Sequence, residues 1–194
     1  MIVGLAGKAC AGKDTLLPFF IDRGFVVVDA DKIGHQALEA NREAVLARFG
    51  TVERPALGKL VFADGRALAD LEAITHPWLM AEVRRQVSGA DGDVVLNAAL
   101  LHKGGLFLLC HTVVWVQASL WTRILRARRR DGWSWRRILN RLWAQRKLRA
   151  QVFPPNVDIL RVDNEGSPEG ARKTLAVRFG SRAFPQKEDT HEKQ

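Results

Sequence analysis

The 194-residue sequence predicts a three-layer α/β fold, in which a central parallel sheet lies between helices. Short continuous apolar runs alternate with helical patterns, as expected of strands buried on both faces. The first run, Ile2 to Leu5, leads into a glycine-rich loop and a helical segment, Thr15 to Asp22. A second run, Phe25 to Val28, follows. This strand–loop–helix–strand order predicts that the two strands pair in parallel.

The glycine-rich loop carries the first functional signal. Residues 7–15 match G-x-x-x-x-G-K, with glycines at Gly7 and Gly12 and the lysine at Lys13. Such a loop presents backbone N–H groups to a polyphosphate, and its lysine reaches the β- and γ-phosphates. The flanking strand and helix make a chance glycine-rich turn the weaker alternative. The residues predicted to bind the nucleotide here are Ala9, Cys10, Ala11, Gly12, Lys13, Asp14 and Thr15.

The loop predicts a P-loop NTPase fold but departs from the usual pattern at Asp14. P-loop NTPases have Ser or Thr after the lysine, and its hydroxyl binds Mg²⁺. Here Asp14 takes that place and Thr15 follows. A carboxylate is a hard oxygen ligand that suits Mg²⁺, although it puts negative charge beside the phosphates. Asp14 and Thr15 are therefore the candidate metal ligands.

Two carboxylates, Asp29 and Asp31, follow the second strand. They emerge at the carboxyl edge of the sheet, where open α/β sheets bind ligands. Asp is a favoured helix N-cap, so we expect one of the two to cap the next helix. We expect the other, Asp31, to accept a proton from an attacking hydroxyl or to orient Mg²⁺.

A helical region follows. The apolar spacing predicts helix from Lys32 to Gly50, a short connecting element from Pro55 to Asp64, and a long amphipathic helix from Ala67 to Val87. Pro77 interrupts this last helix, so a kink or two abutting helices are expected there. His76 either lines a substrate pocket or caps a helix junction, and composition alone favours the cap.

The rest of the sheet comes from later runs. The segment from Asn97 to Leu109 should lie over the carboxyl edge of the sheet. Asn97 stands where many P-loop proteins have an acidic residue that helps hold Mg²⁺, and an amide cannot supply that charge. Three further strands and a last helix are predicted at Asp93–Leu96, Thr112–Val116, Val157–Val162 and Pro168–Phe179.

Arginine dominates the segment from Leu120 to Ala150, where Asp131 is the only acidic residue. Two helices joined after Asp131 would form an arginine-lined lid that brings positive charge to a transferring phosphoryl group. Most of these arginines are expected to form a solvated face. Basic residues interleaved with aromatics are also typical of a single-stranded nucleic-acid surface, although helical spacing favours packing. The aromatic residues are Trp121, Trp133, Trp135 and Trp143.

Composition narrows the class of protein. The formal charge of +9 implies an anionic partner, which is either nucleic acid or a small phosphate ester. Two cysteines, Cys10 and Cys110, make neither a disulfide framework nor a metal site. No apolar run approaches the roughly 20 residues that span a bilayer, and no basic segment precedes the first run as in a secretory signal. We therefore expect a cytoplasmic protein without a membrane partner.

Taken together, the motifs resemble the dephospho-coenzyme A kinases, small P-loop kinases. The resemblance extends from Met1 to about Phe179. The aspartates after strand two, the His-Pro pair and the arginine lid make it more specific than the loop alone. Its marks are residues 7–15, Val28–Ile33, Leu60–Phe62, Thr75–Pro77, Leu100–Leu101, Arg126, Arg130–Gly132, Arg141 with Gln145, and Asp163–Asn164 with Gly166.

The resemblance implies transfer of the ATP γ-phosphoryl group to the ribose 3′-hydroxyl of dephospho-CoA, with ATP and Mg²⁺ as cofactors. By position, Lys13 would hold ATP phosphates and Asp31 would act as general base or orient the hydroxyl. Arg141, counted with these two as catalytic, would contact the nucleotide together with Asn164. The implied substrate-binding residues are Asp31, His76, Leu100 and Arg130.

The expected organisation is one P-loop kinase domain over residues 1–180 and a disordered polar tail over 181–194. The core would comprise 1–31, 90–118 and 152–180, with a helical CoA-side insertion at about 32–89 and the lid at about 119–151.

Two positions differ from the family, which usually has Ser at 14 and an acidic residue where this chain has Lys103. The alternatives are a nucleoside monophosphate kinase of the same fold, some of which share the Gly-Lys-Asp-Thr ending, and a non-catalytic P-loop protein that binds nucleotide or nucleic acid.

Overall fold

The structure is a computed structural model that describes residues 1–131, 135, 138, 142, 145, 148 and 150–180, with the backbone alone at 62, 130 and 131. Within these residues, the strands are β1 (Ile2–Gly7), β2 (Val26–Asp29), β3 (Val94–Asn97), β4 (Thr112–Gln117) and β5 (Ile159–Asp163). They form one all-parallel sheet in the order β2-β3-β1-β4-β5. The predicted α/β fold is confirmed, and each strand coincides with a predicted apolar run.

The register of the sheet gathers the polar strand ends at one edge. Asn97, the last residue of β3, pairs with Leu5 of β1 on one side and with Asp29 of β2 on the other. Because the strands are parallel, the loop after β1, the aspartates after β2 and the segment after β3 all emerge at the same carboxyl edge. The fold therefore places the predicted site residues of these three segments side by side.

Helices flank this sheet. Short 3-10 helices occupy Lys13–Leu16 and Ala150–Val152, and 3-10 turns within Lys103–Leu109 are interrupted by the left-handed residues Gly104 and Gly105. Gly50 follows the helix Arg42–Phe49 in the left-handed region, with φ 69°, so the helical region predicted from Lys32 to Gly50 ends there, although it is divided into two helices at Asn41. The α-helices in the described part of the chain are α1 (Leu17–Ile21), α2 (Ala30–Ala40), α3 (Arg42–Phe49), α4 (Arg54–Ala63), α5 (Gly65–Ser88), α6 (Leu120–Asp131) and α7 (Glu169–Phe179).

Two features of the helical region differ from expectation. The segment predicted as a short connection is helix α4, whose Pro55 lies in the first turn, where a missing N–H costs no hydrogen bond. Helix α5 runs through Pro77 as one helix, so the prediction of two abutting helices is wrong. The packing of α5 against the sheet, with Val83 fully buried, offsets the roughly 3 kcal/mol that an interior proline costs.

Apolar side chains cover both faces of the sheet. On β3, Val94 and Leu96 join the core on the α5 side, whereas Val95 between them joins the core on the opposite side with Phe20 and Leu175. This alternation is the two-sided burial that the continuous apolar runs predicted. Helices α3 and α4 share a smaller core, which includes Val45, Leu57 and Val61.

Part of the predicted organisation falls outside the described residues. The tail at 181–194 and much of the lid at 119–151 lie there, so the tail, the lid and the domain ranges stay predictions. No helix in the described ranges combines the length and the apolar character that crossing a membrane requires.

Candidate active site

The phosphate loop joins β1 to the 3-10 helix at Lys13–Leu16. Its turn needs left-handed backbone at Cys10, with φ 62°, and at Gly12, with φ 87°. A β-carbon on Gly12 would also overlap the side-chain amide of Asn164. Both the backbone conformation and the close approach therefore require glycine at position 12.

Side chains from distant segments hold the backbone of this loop. Nε of Arg123 donates to the carbonyl of Ala9 at 2.9 Å, and Nη1 of Arg126 donates to the carbonyl of Ala11 at 2.9 Å. Nδ2 of Asn164 donates to the same Ala11 carbonyl at 2.9 Å and to the Gly12 carbonyl at 3.2 Å. These bonds engage the carbonyl oxygens of the loop, whose negative ends would repel a phosphate.

Gln145, in the segment predicted as a lid, also reaches the loop. Its Oε1 accepts a hydrogen bond from the backbone N–H of Ala9 at 2.7 Å. Arg126, Arg129 and Gln145 line a cavity of about 630 Å³ together with the loop residues from Gly7 to Thr15, except Ala11, which is fully buried. A cavity with these cationic and backbone donors fits the polyphosphate predicted from the sequence.

Lys13 is the centre of a polar cluster at the sheet edge. Its Nζ donates to Oδ1 of Asn97 at 2.8 Å, pairs with Oδ1 of Asp14 at 2.9 Å and lies 3.5 Å from Oδ2 of Asp31. Nδ2 of Asn97 donates in turn to Oδ1 of Asp14 at 3.4 Å. Strand order makes this cluster possible, because β3 lies between β1 and β2.

The two aspartates after β2 take different places, as the sequence predicted. Oδ1 of Asp29 accepts from the backbone N–H of Lys32 at 3.0 Å, so Asp29 is the N-cap of α2. Asp31, in the first turn of the same helix, is turned to the cavity. Its Oδ1 accepts from the backbone N–H of Ala99 at 3.3 Å, and its side chain is 49% exposed.

A second and larger cavity, of about 1020 Å³, adjoins the first. Asp31 and Ala99 line both cavities, whereas Lys13 lines the first and His76 the second. Leu100, predicted at the substrate, also lines the second cavity and is partly exposed there. The carboxylate of Asp31 thus stands on the wall between a phosphate-binding cavity and a space large enough for a bulky acceptor.

His76 and Lys103 shape the second cavity. The imidazole of His76 lies against Gly104, whose φ is 63°, and a β-carbon there would overlap the ring. Lys103, which replaces the acidic residue of the family, forms an ion pair with Glu72 of α5. An acidic group is therefore still present beside position 103, supplied by another element.

The oxygen donors near the loop fit Mg²⁺. Asp14 offers a carboxylate that is 58% exposed at the cavity, and Asp31 offers a second. The Thr15 hydroxyl donates to the Gly12 carbonyl at 2.7 Å, which leaves its oxygen as a weaker candidate ligand. Among the described residues no group of three or more His, Cys, Asp or Glu side chains could hold a metal by itself. Mg²⁺ suits such a site, because it uses one or two carboxylates together with substrate phosphates and waters.

Some predicted residues cannot be compared with the structure. Arg141 lies outside the described residues, as do the side chain of Arg130 and two of the lid tryptophans. Of the other two, Trp135 has the guanidinium of Arg128 4.7 Å from its ring centre, and Trp121 is exposed.

Sequence reasoning missed several residues that the structure brings to the site. Nothing in the sequence distinguishes Arg123 from the many other arginines of its segment as a residue that contacts the phosphate loop. Gln145 was part of the family resemblance but had no assigned role. The pairing of Glu72 with Lys103 and of Asn97 with Asp14 depends on tertiary contacts, for which the local pattern holds no signal.

Comparison with known proteins identifies the family. The sequence model described as "Dephospho-CoA kinase" matches residues 1–167. A dephospho-CoA kinase of Geobacter sulfurreducens is 33% identical, covering 95% of this chain and 99% of that protein. A crystal structure of a Thermus thermophilus protein is similar with a TM-score of 0.79 and 27% identity, over 95% and 98% of the two chains. The fold of a Campylobacter jejuni dephospho-CoA kinase matches with a TM-score of 0.62 at 21% identity, over 91% and 94%. The chain belongs to the dephospho-CoA kinase family.

Proposed function

We propose that the protein transfers the γ-phosphoryl group of ATP to the 3′-hydroxyl of dephospho-CoA, giving CoA. One observation carries the proposal: the Asp31 carboxylate borders both the phosphate-loop cavity and the larger cavity. A group in this position can contact a hydroxyl that enters from one side and a phosphoryl group held on the other.

Charge and position do most of the catalytic work in phosphoryl transfer. Lys13 neutralises the β- and γ-phosphates, which the loop residues Ala9 to Thr15 surround. The backbone N–H of Ala9 joins in binding them once Gln145 releases it, whereas those of Ala11 and Thr15 donate within the loop. Asn164 is 1% exposed and acts through the loop carbonyls that it binds. Arg126 and Arg129 face the same cavity. Arg141 stays a prediction as a further nucleotide contact.

Asp31 orients the acceptor hydroxyl and receives its proton. The backbone N–H of Ala99 and the ammonium of Lys13 each contact one of its oxygens, which leaves lone pairs for the substrate. In the proposed arrangement His76 and Leu100 contact the acceptor, and Arg130 stays a predicted substrate contact. Mg²⁺, held by Asp14 and with less support by Thr15, would neutralise charge on the phosphates.

The size of the second cavity favours dephospho-CoA over a nucleoside monophosphate as acceptor. Its volume of about 1020 Å³ lies at the upper end of the range for small-molecule sites, as expected for a ligand with a long pantetheine arm.

The test is release of ADP with Mg-ATP and dephospho-CoA, with the product identified by mass spectrometry and nucleoside monophosphates as competing acceptors. We expect turnover that needs dephospho-CoA and falls about 10²–10⁴-fold in Asp31→Asn, the usual contribution of a general base. Lys13→Ala should abolish turnover. Asp29→Asn is the matched control, because Asn caps a helix as well as Asp does.

Two results would contradict the proposal. One is phosphorylation of a nucleoside monophosphate in preference to dephospho-CoA, which would give the protein a different acceptor. The other is RNA or DNA binding that stays tight at high salt and survives Lys13→Ala, without kinase activity toward either acceptor class. That outcome would favour the non-catalytic alternative, since simple attraction to polyanions weakens steeply with salt.

A further inference from the structure

Two unusual residues of the site lie next to each other. Position 14 has a carboxylate where P-loop proteins have a hydroxyl, and position 97 has an amide where many of them have a carboxylate. We propose that Asp14 and Asn97 are one functional pair, in which the metal-holding carboxylate has moved from the end of β3 to the phosphate loop. Asn97 is the positioning residue of this pair. The inference rests on the proposed kinase function, because it concerns the same nucleotide site.

The contacts of Asn97 match this role. Its side-chain oxygen accepts from Lys13 at 2.8 Å, and its side-chain nitrogen donates to Asp14 at 3.4 Å. An amide offers an acceptor to the ammonium and a donor to the carboxylate from two separate atoms. An aspartate at this position would accept from Lys13 equally well but would repel Asp14.

The surroundings keep Asn97 in place. The residue is 3% exposed, and its backbone is paired with strands on both sides. Asp14, by contrast, is more than half exposed at the cavity. The buried amide therefore gives the exposed carboxylate of Asp14 a fixed hydrogen-bond partner beside Lys13.

The formal charges support an exchange rather than two independent changes. With Asp14 and Asn97 the cluster holds one cation, Lys13, and two carboxylates, counting Asp31. An exchanged pair, Asp14→Ser with Asn97→Asp, has the same balance. Asn97→Asp alone would place three carboxylates around one ammonium, and Asp14→Ser alone would leave one. Each single substitution is thus expected to disturb the site, and the double substitution to restore it.

The test measures ATP affinity rather than turnover. Isothermal titration calorimetry gives the dissociation constant of ATP in EDTA and in Mg²⁺. The constant in EDTA divided by the constant in Mg²⁺ measures how much the metal strengthens ATP binding. We expect each single substitution to lower this ratio about tenfold, because Asp14→Ser removes the metal-holding carboxylate and Asn97→Asp repels that carboxylate from its place beside Lys13. The double variant should return to within about threefold of the parent ratio. Asp70→Asn, which removes a carboxylate paired with Arg48 away from the site, is the matched control.

Independent effects of the two substitutions would overturn the inference: the double variant would then show the product of the single losses. An unchanged ratio in Asn97→Asp would also overturn it. Thermal melts show whether each variant folds, and Asn97→Ala, which removes both contacts of the amide without adding charge, replaces Asn97→Asp if the latter does not; it should lower the ratio at least about threefold, and an unchanged ratio would count against the pair.

Because ATP binding needs no acceptor, the outcome is separate from that of the proposed function. If the parent protein does not phosphorylate dephospho-CoA but the double variant restores the ratio, the inference about Asp14 and Asn97 holds and the proposed reaction is wrong. If the parent protein phosphorylates dephospho-CoA but the two substitutions act independently on the ratio, the proposed reaction holds and the inference about the pair is wrong.

Discussion

Gly104→Ala offers a sharp test of the second cavity. Two costs arise at this residue: alanine is strained at a φ of 63°, and its β-carbon would overlap the His76 ring. The strain costs about 1–2 kcal/mol, and the lower chain entropy of unfolded alanine offsets about 0.4–1 kcal/mol of it. Displacing the ring adds about 1–3 kcal/mol, the usual cost of overpacking.

Gly50→Ala separates these two costs. Gly50 has a similar φ of 69°, but no described atom lies within 4 Å of the position its β-carbon would take. The difference between the variants is therefore the clash with His76 alone. At about 2 kcal/mol, this difference lowers the melting temperature of Gly104→Ala by roughly 4–8 °C more than that of Gly50→Ala.

The same displacement should affect the acceptor and spare the nucleotide. We expect Gly104→Ala to raise KM for dephospho-CoA at least about fivefold, with ATP affinity within about twofold of the parent, because His76 lines only the larger of the two cavities at the loop. In a His76→Ala background the extra loss of stability should vanish, since no ring remains to be displaced. Equal melting temperatures for the two glycine variants, or a loss that persists without His76, would refute this reasoning.

Three further predictions concern other parts of the site. Asn164→Ala removes the donor that two loop carbonyls share, so calorimetry should show ATP binding weakened about tenfold and melts a stability loss of about 1–3 kcal/mol. Burial raises the pKa of the Cys110 thiol to about 12, so it stays protonated at pH 8 and should resist Ellman's reagent in the folded protein. Cys10 lines the nucleotide cavity, so its reaction should be fast and blocked by ATP; a Cys10→Ser variant that still shows a fast thiol would contradict this. Glu72→Gln frees Lys103 at a half-exposed site, where ion pairs contribute about 0–1 kcal/mol. Stability should therefore hardly change while KM for the anionic acceptor falls about two- to fivefold, and a rise in KM would show that the pair itself binds the acceptor.

Much of the fold could be predicted from sequence because its signals are local. A buried parallel strand has an apolar run on both faces, and the loop at 7–15 needs its glycines in sequence order. The different places of Asp29 and Asp31 followed from the preference of helix starts for aspartate. Helix α4 was predicted only as a short connecting element, although Pro55 at its first turn is a favoured helix start.

Other features depend on strand order and tertiary packing. Asn97 meets Asp14 because β3 is inserted between β1 and β2, and 83 residues separate the two in the chain. Glu72 faces Lys103 because α5 packs beside the segment after β3. Helix α5 continues through Pro77 because burial outweighs local preference. In each case the outcome depends on the three-dimensional arrangement of the elements, which composition and sequence spacing do not predict.

The buried position of Arg123 has a consequence for how binding responds to ionic strength. This guanidinium is 5% exposed and donates to the Ala9 carbonyl behind the loop. Burial lowers the pKa of Arg123 from its ordinary value, yet an arginine stays charged throughout the working range. Dissolved ions screen exposed charges over about 8–10 Å but reach a buried one far less. The protein should therefore retain a share of its attraction for ATP at salt concentrations that abolish the general affinity of its basic surface for polyanions.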